Sequence, residues 1–143
     1  MLQLSTLSQE LLEKSRRACY PVNGCCQAVH KELGPFLNEY MYQEALAIAL
    51  SDASLPFDKD YYFTAQFRGH TLKHRHFVDF RVDGNIFIEC KAVTQLHDAH
   101  RQQLWNYMRL ARVPLGILWN FHPVRDQSEH YYLDLQTNTL YYF

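Results

Sequence analysis

The sequence lacks the features that mark several classes of protein. None of its apolar runs approaches the ~18 residues of a membrane-spanning helix. The N-terminal stretch MLQLSTLSQELLEKSRR has neither the basic start nor the long apolar centre of a secretory signal. We therefore expect a cytoplasmic protein that does not enter a membrane.

Cysteine pairs and an excess of positive charge are also missing. The four cysteines form no CxxC pair, so we expect buried thiols in place of a disulfide framework or a zinc site. Lys and Arg number 14 against 15 Asp and Glu, which gives a formal net charge of −1. Proteins that hold nucleic acid by charge alone are usually basic, so any such contact would depend on a local patch or a bound cation.

The residues that are present predict a folded domain. Hydrophobic residues make up 48% and aromatic residues 15% of the 143 residues, which excludes a disordered chain and allows a substantial core. Apolar spacing predicts helices, then three strands, a helix, a strand and a hairpin, with Pro21 in the first turn of the second helix. This order indicates an α/β or α+β sheet with helices packed against it. The predicted helices span 1–19, 21–33, 37–50 and 95–112, and the predicted strands span 61–67, 76–82, 85–92 and 115–121.

The stretch FRVDGNIFIECKAV, residues 80–93, reads as a hairpin that carries charges among isoleucines. A two-residue Asp-Gly loop places Asp79 on one face and mixes Glu89 and Lys91 with apolar residues on the other. A three-residue loop pairs Asp79 with Phe87, gathers the three ionisable groups on one face and leaves the other wholly apolar. Since a one-residue slip turns every side chain over, the hydrophobic pattern favours the three-residue loop.

Two carboxylates on one face of the hairpin repel each other unless a positive group lies between them. A hard divalent ion such as Mg²⁺ or Mn²⁺ prefers carboxylate, carbonyl and water oxygens, which Asp79 and Glu89 would supply. Lys91 would then position a water or stabilise charge on a phosphoryl group. The alternative is an ordinary surface ion-pair ladder, which the short pattern taken alone favours.

The predicted helix over 95–112 carries polar side chains on an apolar stripe. At about 100° per residue, His100, Gln103 and Tyr107 lie on one side of it. Polar groups on a core-facing stripe need partners. They either reach over the carboxylate face toward metal-bound water or substrate, or satisfy backbone groups at the sheet edge.

Two further segments are candidates for external contacts. The loop 69–76 carries Lys73 and Arg75 among three histidines, and it would contact phosphate, bind a soft metal through His74 and His76, or simply be solvated. The tail HYYLDLQTNTLYYF is rich in aromatics. An exposed hairpin of this kind either pairs with a second copy of the chain or covers the chain's own sheet.

Several of these residues carry a family resemblance. Asp79, nine intervening residues and then Glu89-Cys90-Lys91 are similar to the PD-(D/E)XK nuclease signature, with Val78 at its usual proline position. Four longer blocks look like the GxxExxY family, a small branch of that superfamily: VHKELGPFLNEYMYQEAL, FIECKAV, HRQQLWNY and LGILWNF. We expect one domain over 1–143, in which the resemblance covers 20–121 and leaves a helical extension at 1–19 and a C-terminal hairpin at 122–143.

The resemblance implies a restriction-endonuclease-like fold, in which helices flank a mixed central sheet. It implies that Asp79, Glu89 and the carbonyl of Cys90 are metal ligands. Glu39, which matches the Glu of the family's name, would complete the metal site through water. The family's Gly falls on Phe36, so the sequence departs from the namesake motif there, and Gly34 is a candidate to take over that role.

The remaining implied roles concern catalysis and substrate. Gln103 and Tyr107 resemble the QxxxY element of helicase-linked exonucleases in the superfamily, and Tyr42 matches the Tyr of the family's name. The sequence therefore predicts a Mg²⁺- or Mn²⁺-dependent nuclease acting on nucleic acid, DNA in preference to RNA. Its predicted catalytic residues are Asp79, Glu89, Lys91, Gln103 and Tyr107, and its predicted substrate-binding residues are Lys73, Arg75, His100 and Tyr42.

Two alternatives stay open at this point. The first is a catalytically silent module that keeps the fold to bind nucleic acid or a protein. The second is a nuclease that is active only in a larger complex, for example a homodimer formed through the aromatic C-terminal hairpin.

Overall fold

The computed structural model describes residues 7–143, so the first six residues of the predicted N-terminal helix lie outside the described part of the chain. The helices are α1 (Gln9–Leu33), α2 (Glu39–Asp52) and α3 (Asp98–Ala111). The strands are β1 (Phe57–Phe63), β2 (Gln66–Phe67), β3 (His70–Thr71), β4 (His76–Val82), β5 (Ile86–Lys91), β6 (Leu115–Asn120), β7 (Gln127–Asp134) and β8 (Thr139–Tyr142). Six of these strands form one sheet in the order β1-β4-β5-β6-β7-β8, while β2 and β3 form a separate small hairpin.

The sheet is mixed, because β5 and β6 are parallel while the other neighbouring strands are antiparallel. Helices α1 and α2 cover one face and α3 covers the other. This arrangement confirms the predicted α/β fold with a mixed central sheet flanked by helices. No helix within residues 7–143 combines the length and apolarity that a membrane span requires.

The two predicted N-terminal helices are one continuous helix, so the predicted break before Pro21 is wrong. One buried stripe of α1 continues on both sides of Pro21 and consists of Cys19, Val22, Cys26 and Val29. The proline has no N–H, which leaves a carbonyl of the preceding turn without its usual donor. Burial of the stripe against the sheet outweighs that loss, because it removes four apolar side chains from water.

Two hydrophobic cores lie on opposite faces of the sheet. The first, under α1 and α2, includes Tyr42, Leu46, Phe80, Ile88 and Phe121. The second, under α3, includes Phe63, Val78, Phe87, Leu104 and Met108. Gly116 of β6 lets α3 sit close to the sheet, since a Cβ built on it would lie 2.4 Å from Sδ of Met108.

The β4–β5 hairpin keeps the predicted faces but not the predicted register. Arg81 pairs with Phe87 and Val82 pairs with Ile86, so the strands are shifted by two residues from the prediction. A shift of two preserves which side chains share a face, whereas a shift of one would have reversed them. The three-residue loop is 83–85, and Gly84 takes the expected left-handed conformation with φ of 72°.

Strand β4 changes sides at Asp79. Its pairing with β5 covers only 80–82, while its pairing with β1 continues to His76. Phe80 packs in the core under α1 and α2, yet Val78, two residues earlier, packs in the core under α3. Asp60 of β1 lies beside this point in a left-handed conformation with φ of 53°. The β1–β4 pair therefore turns away from β5 and opens a gap in the sheet at Asp79.

The aromatic tail packs mainly within its own chain. Tyr131 and Leu140 are buried under α3, and Tyr132 and Phe143 pack against the core under α1 and α2. Tyr142 on edge strand β8 is 54% exposed. The tail thus extends its own sheet as β7 and β8, and a homodimer through this hairpin stays a prediction.

Candidate active site

Asp79 and Glu89 face each other across the gap between β4 and β5. The backbone N–H of Asp79 donates to Oε1 of Glu89 at 3.2 Å, and the backbone N–H of Cys90 donates to Oδ2 of Asp79 at 2.8 Å. Each carboxylate thus accepts from a backbone group on the opposite strand, where a regular ladder would have used a carbonyl. The two side chains replace the backbone ladder at the gap, and these hydrogen bonds hold them side by side.

Burial and mutual repulsion make this pair electrostatically costly. Glu89 is only 4% exposed, and burial followed by the charge of Asp79 raises the pKa of Glu89 to about 8. Burial also raises the pKa of Asp79. Nζ of Lys91 lies 4.0 Å from Oε2 of Glu89, and its charge offsets only part of the desolvation. The site therefore favours either a bound proton or a second positive charge.

Glu39, the first residue of α2, interacts with the charges of Asp79, Glu89 and Lys91. Burial raises the pKa of Glu39, while the positive charge of Lys91 lowers it and the negative charge of Asp79 raises it further. Nε2 of Gln43 donates to Oε2 of Glu39 at 3.2 Å and orients the carboxylate. Glu44, on another side of α2, is exposed to solvent. Of the two glutamates considered from the sequence, Glu39 is the one beside the carboxylate pair.

Helix α3 covers the pair from the other face of the sheet. Nε2 of Gln103 donates to the Tyr107 hydroxyl at 3.1 Å. Burial raises the pKa of Tyr107, and the nearby charge of Glu89 raises it further. Burial lowers the pKa of His100, and the charge of Lys91 adds to that effect. Of the stripe predicted from helical spacing, Tyr107 and His100 thus interact with the charges of the site, while Gln103 is exposed and is linked to it through Tyr107.

His100 also has a structural task. Its Nδ1 accepts the backbone N–H of His97 at 3.1 Å, which is one half of the capping box that begins α3. The other ring nitrogen remains available, since a neutral imidazole has one donor and one acceptor nitrogen.

The donor set suits a hard divalent ion. Asp79 and Glu89 supply carboxylate oxygens and Cys90 supplies a carbonyl oxygen, which are the ligand types that Mg²⁺ and Mn²⁺ prefer. The buried carboxylate of Glu89 and the half-buried one of Asp79, whose pKa values are both raised, also require positive charge in order to ionise together. Within residues 7–143 no group of three or more His, Cys, Asp and Glu side chains is arranged to hold a metal. Asp79 and Glu89 would therefore hold an ion only together with carbonyl and water oxygens.

The structure places Tyr42 in the core, which differs from its predicted contact with substrate. Tyr42 is 0% exposed and its ring stacks on Phe121 at 4.8 Å. Its hydroxyl donates to the carbonyl of Gly34 at 2.6 Å and accepts the N–H of Leu37 at 3.2 Å. Both bonds close the turn before α2, so Tyr42 acts on the site by positioning the start of the helix that carries Glu39.

The cationic loop lies on the surface beyond the gap. Lys73 and Arg75 are both exposed in the segment between β3 and β4. The guanidinium of Arg75 lies over the ring of Tyr62, 4.9 Å from its centroid. The rings of His74 and His76 are 4.7 Å apart, but they belong to no metal-holding group in the part of the chain that the structure describes.

Asn120 is a residue that the sequence analysis missed. It is 0% exposed, pairs with Lys91 across the parallel strands β5 and β6, and exchanges hydrogen bonds with the backbone of Val93 at 2.8 and 3.0 Å. It thereby fixes the C-terminal end of β5, at Lys91. A polar residue at the end of the apolar run LGILW was the available signal.

The family model described as the PD-(D/E)XK nuclease superfamily matches residues 16–131. A solved structure described as the crystal structure of SSO0001 is similar over 84% of this chain and 80% of that chain, with 16% sequence identity and a TM-score of 0.43. No curated protein matches the chain significantly.

Proposed function

The chain belongs to the PD-(D/E)XK nuclease superfamily, and on that premise we propose that it is a divalent-metal-dependent nuclease that hydrolyses phosphodiester bonds, preferably of DNA. The observation that carries the proposal is the pair Asp79 and Glu89, of which Glu89 is buried and Asp79 half-buried, with half-buried Lys91 as a partial counterion. Burying three ionisable groups at one gap costs stability, and a catalytic role would explain why the fold tolerates that cost.

The proposed metal ligands are Asp79, Glu89 and the carbonyl of Cys90, with Glu39 acting through water. When bound, Mg²⁺ or Mn²⁺ supplies a reactive water and positive charge near the phosphoryl oxygens. Because Nζ of Lys91 lies 4.0 Å from Glu89, it can orient the attacking water and stabilise charge on the phosphoryl group.

The remaining residues would position substrate from two sides. Gln103 and Tyr107 act as a hydrogen-bonded unit on α3, which would orient the scissile phosphate. His100, beside Lys91, and exposed Lys73 and Arg75 would contact neighbouring phosphates.

We also propose that the chain belongs to the GxxExxY branch of the superfamily. The first residue of the helix, Glu39, turns toward the carboxylate pair, while Tyr42, three residues later, closes the preceding turn from inside the core. This division of labour gives a physical reason for a Glu and a Tyr at that spacing. Phe36, at the position of the family's Gly, has a left-handed φ of 69°, the conformation that glycine adopts freely.

A second candidate is a silent module that binds nucleic acid or protein without cleaving. The near-neutral charge of the chain and the absence, within residues 7–143, of three metal-holding side chains in one group favour it. Cleavage distinguishes the two candidates directly.

The test is cleavage of single- and double-stranded DNA and RNA in Mg²⁺ or Mn²⁺, with EDTA as the blank. We expect metal-dependent cleavage by the wild type, loss of it in Glu89→Gln, and retention in Glu44→Gln, whose exposed carboxylate lies elsewhere on the surface. Equal residual cleavage in wild type and Glu89→Gln would indicate a contaminating nuclease. No cleavage of any substrate would favour the silent module.

A further inference from the structure

Residues 61–77, which we call the basic-aromatic arm, differ in charge from the rest of the chain. The arm contains Arg68, Lys73 and Arg75, three histidines and no Asp or Glu. The remainder of the chain holds 11 Lys and Arg against all 15 Asp and Glu. The arm is therefore the segment whose charge complements a polyanion, although the whole protein is slightly acidic.

Large aromatic side chains of the arm are exposed in a way that packing does not explain. Tyr62 and Phe77 pair across β1 and β4, with ring centroids 6.1 Å apart, and are 53% and 55% exposed. Arg75 lies over the Tyr62 ring. Phe67, at the β2–β3 hairpin, is 57% exposed and has the guanidinium of Arg68 over its ring at 5.0 Å. Exposed aromatic rings with cationic groups over or beside them are typical of a surface on which planar ligands stack, and not of a hydrophobic core.

The arm leads directly into the candidate active site. Phe77 precedes Asp79 by two residues on β4, about 7 Å along the strand. The neighbouring His76 points to the other face of β4, where its ring lies 5.6 Å from the ring of Tyr107 on α3. A strand of nucleic acid held on Tyr62 and Phe77 would thus continue toward the carboxylate pair.

We propose that the basic-aromatic arm binds single-stranded nucleic acid, with bases stacked on Tyr62 and Phe77 and phosphates held by Arg75 and Lys73. Aromatic side chains bind the faces of bases, which a single strand presents and a regular duplex covers with its own stacking. A duplex would contact only the cationic side chains of the arm, because its base faces are covered and cannot stack on the aromatic rings. This inference rests on the proposed function, because it names the substrate class of the same site.

The test measures binding apart from cleavage. Fluorescence anisotropy of a labelled 20-nucleotide single strand, as DNA and as RNA, is recorded in EDTA beside the matching duplex. We expect the wild type to prefer the single strand, and Tyr62→Ala and Phe77→Ala to weaken it about tenfold each, as loss of one stacked base does. Arg75→Gln should weaken binding and flatten its dependence on salt. The relative affinity for the two strands identifies DNA or RNA.

The control variant is Tyr142→Ala, which removes a side chain of equal exposure, 54%, from the opposite edge of the sheet. It should bind as wild type does, and circular dichroism should show that all variants are folded. Unchanged affinity in the Tyr62 and Phe77 variants, equal affinity for duplex, or no binding of any single strand would overturn the inference. So would a change in oligomeric state without a change in affinity, since that would assign the arm to a protein contact. Single-strand binding without metal-dependent cleavage would instead overturn the proposed function and leave the arm's role intact.

Discussion

At the scale of single residues, the carboxylates of Asp79 and Glu89 each have two tasks. They complete backbone hydrogen bonds where β4 leaves β5, and they bring negative charge into a buried place. The first task stabilises the gap, because an unpaired buried N–H costs about 1–3 kcal/mol. The second opposes folding whenever both groups are ionised, which makes the stability of the protein depend on pH.

The pH dependence of folding should reveal Glu89. Its pKa rises from 4.5 to about 8 on folding, so the folded state holds a proton that the unfolded state releases. The stability from this proton is complete below about pH 4.5 and is lost as pH rises through 8. Glu89→Gln keeps an acceptor for the N–H of Asp79 but cannot ionise. In EDTA, we expect the melting temperature of Glu89→Gln to rise relative to that of the wild type as the pH increases from 6 to 9.

The matched control for this measurement is Glu44→Gln, which changes an exposed glutamate of α2. Its melting temperature should differ from that of the wild type by the same amount at every pH. The same pH dependence of the melting temperature in Glu89→Gln and wild type would contradict the assignment of the raised pKa to Glu89.

Phe36 is a second residue whose conformation predicts an effect on stability. Its left-handed φ of 69° costs a side chain about 1–2 kcal/mol that glycine does not lose. Both Phe36→Gly and Phe36→Ala remove the ring, which contacts His122 at 5.4 Å and is 65% exposed. Glycine also gives the unfolded chain more conformational freedom, which offsets part of this difference. We therefore expect the free energy of unfolding of Phe36→Gly, measured by urea denaturation, to be about 1 kcal/mol higher than that of Phe36→Ala. The reverse order would mean that this turn is not left-handed in solution.

At the scale of elements, the site depends on how closely α3 sits on the sheet. Gly116 of β6 and Met108 of α3 share one space. Met108 is fully buried, so it cannot swing out to solvent when that space is filled. Since Gln103 and Tyr107 are on the same helix, any displacement of α3 also moves them relative to Glu89.

Gly116→Ala should therefore destabilise the fold by about 1–3 kcal/mol, as overpacking does. The same change in a Met108→Ala background should cost less, because the space is then free, and a double-mutant cycle from urea denaturation measures the difference. Gly24→Ala is the control, since nothing lies within 4 Å of its added Cβ in α1, and it should stabilise the helix by about 1 kcal/mol. Additive effects of the Gly116 and Met108 substitutions would refute the shared space.

At the scale of the whole molecule, the gap is where both faces of the sheet meet. Glu39 arrives from α2 on one face and Tyr107 from α3 on the other, and the charges of Asp79 and Glu89 act on both. An unbroken sheet would have kept the two helices apart.

Metal binding should be visible as stabilisation of the entire fold. An ion at a hundredfold excess over its dissociation constant stabilises a protein by about 2.7 kcal/mol. Because the ion must displace the proton on Glu89, we expect Mn²⁺ to raise the melting temperature more at pH 8.5 than at pH 6. The increase should vanish in Glu89→Gln and persist in Glu44→Gln. A shift that is equal in wild type and Glu89→Gln would locate the ion elsewhere.

Much of the fold could be predicted from the sequence because local patterns carry it. The predicted strand over 76–82 coincides with β4, and apolar alternation in β5 put Glu89 and Lys91 on one face even though the register was two residues away. Helical spacing likewise put Gln103 and Tyr107 on one side of α3. Periods of 2 and 3.6 residues determine faces whatever the neighbouring element is.

Only the tertiary structure decided which of these faces meet. Local rules began a new helix at Pro21, but packing of one stripe against the sheet made α1 continuous through it. A motif placed Tyr42 with the substrate, but the space beside Phe121 drew it into the core. The gap at Asp79 arises from β1, β4 and β5 together, because strand pairing depends on partners that are distant in sequence. The sequence by itself therefore determined the elements and the chemistry of their faces, and long-range packing decided which of those faces became one site.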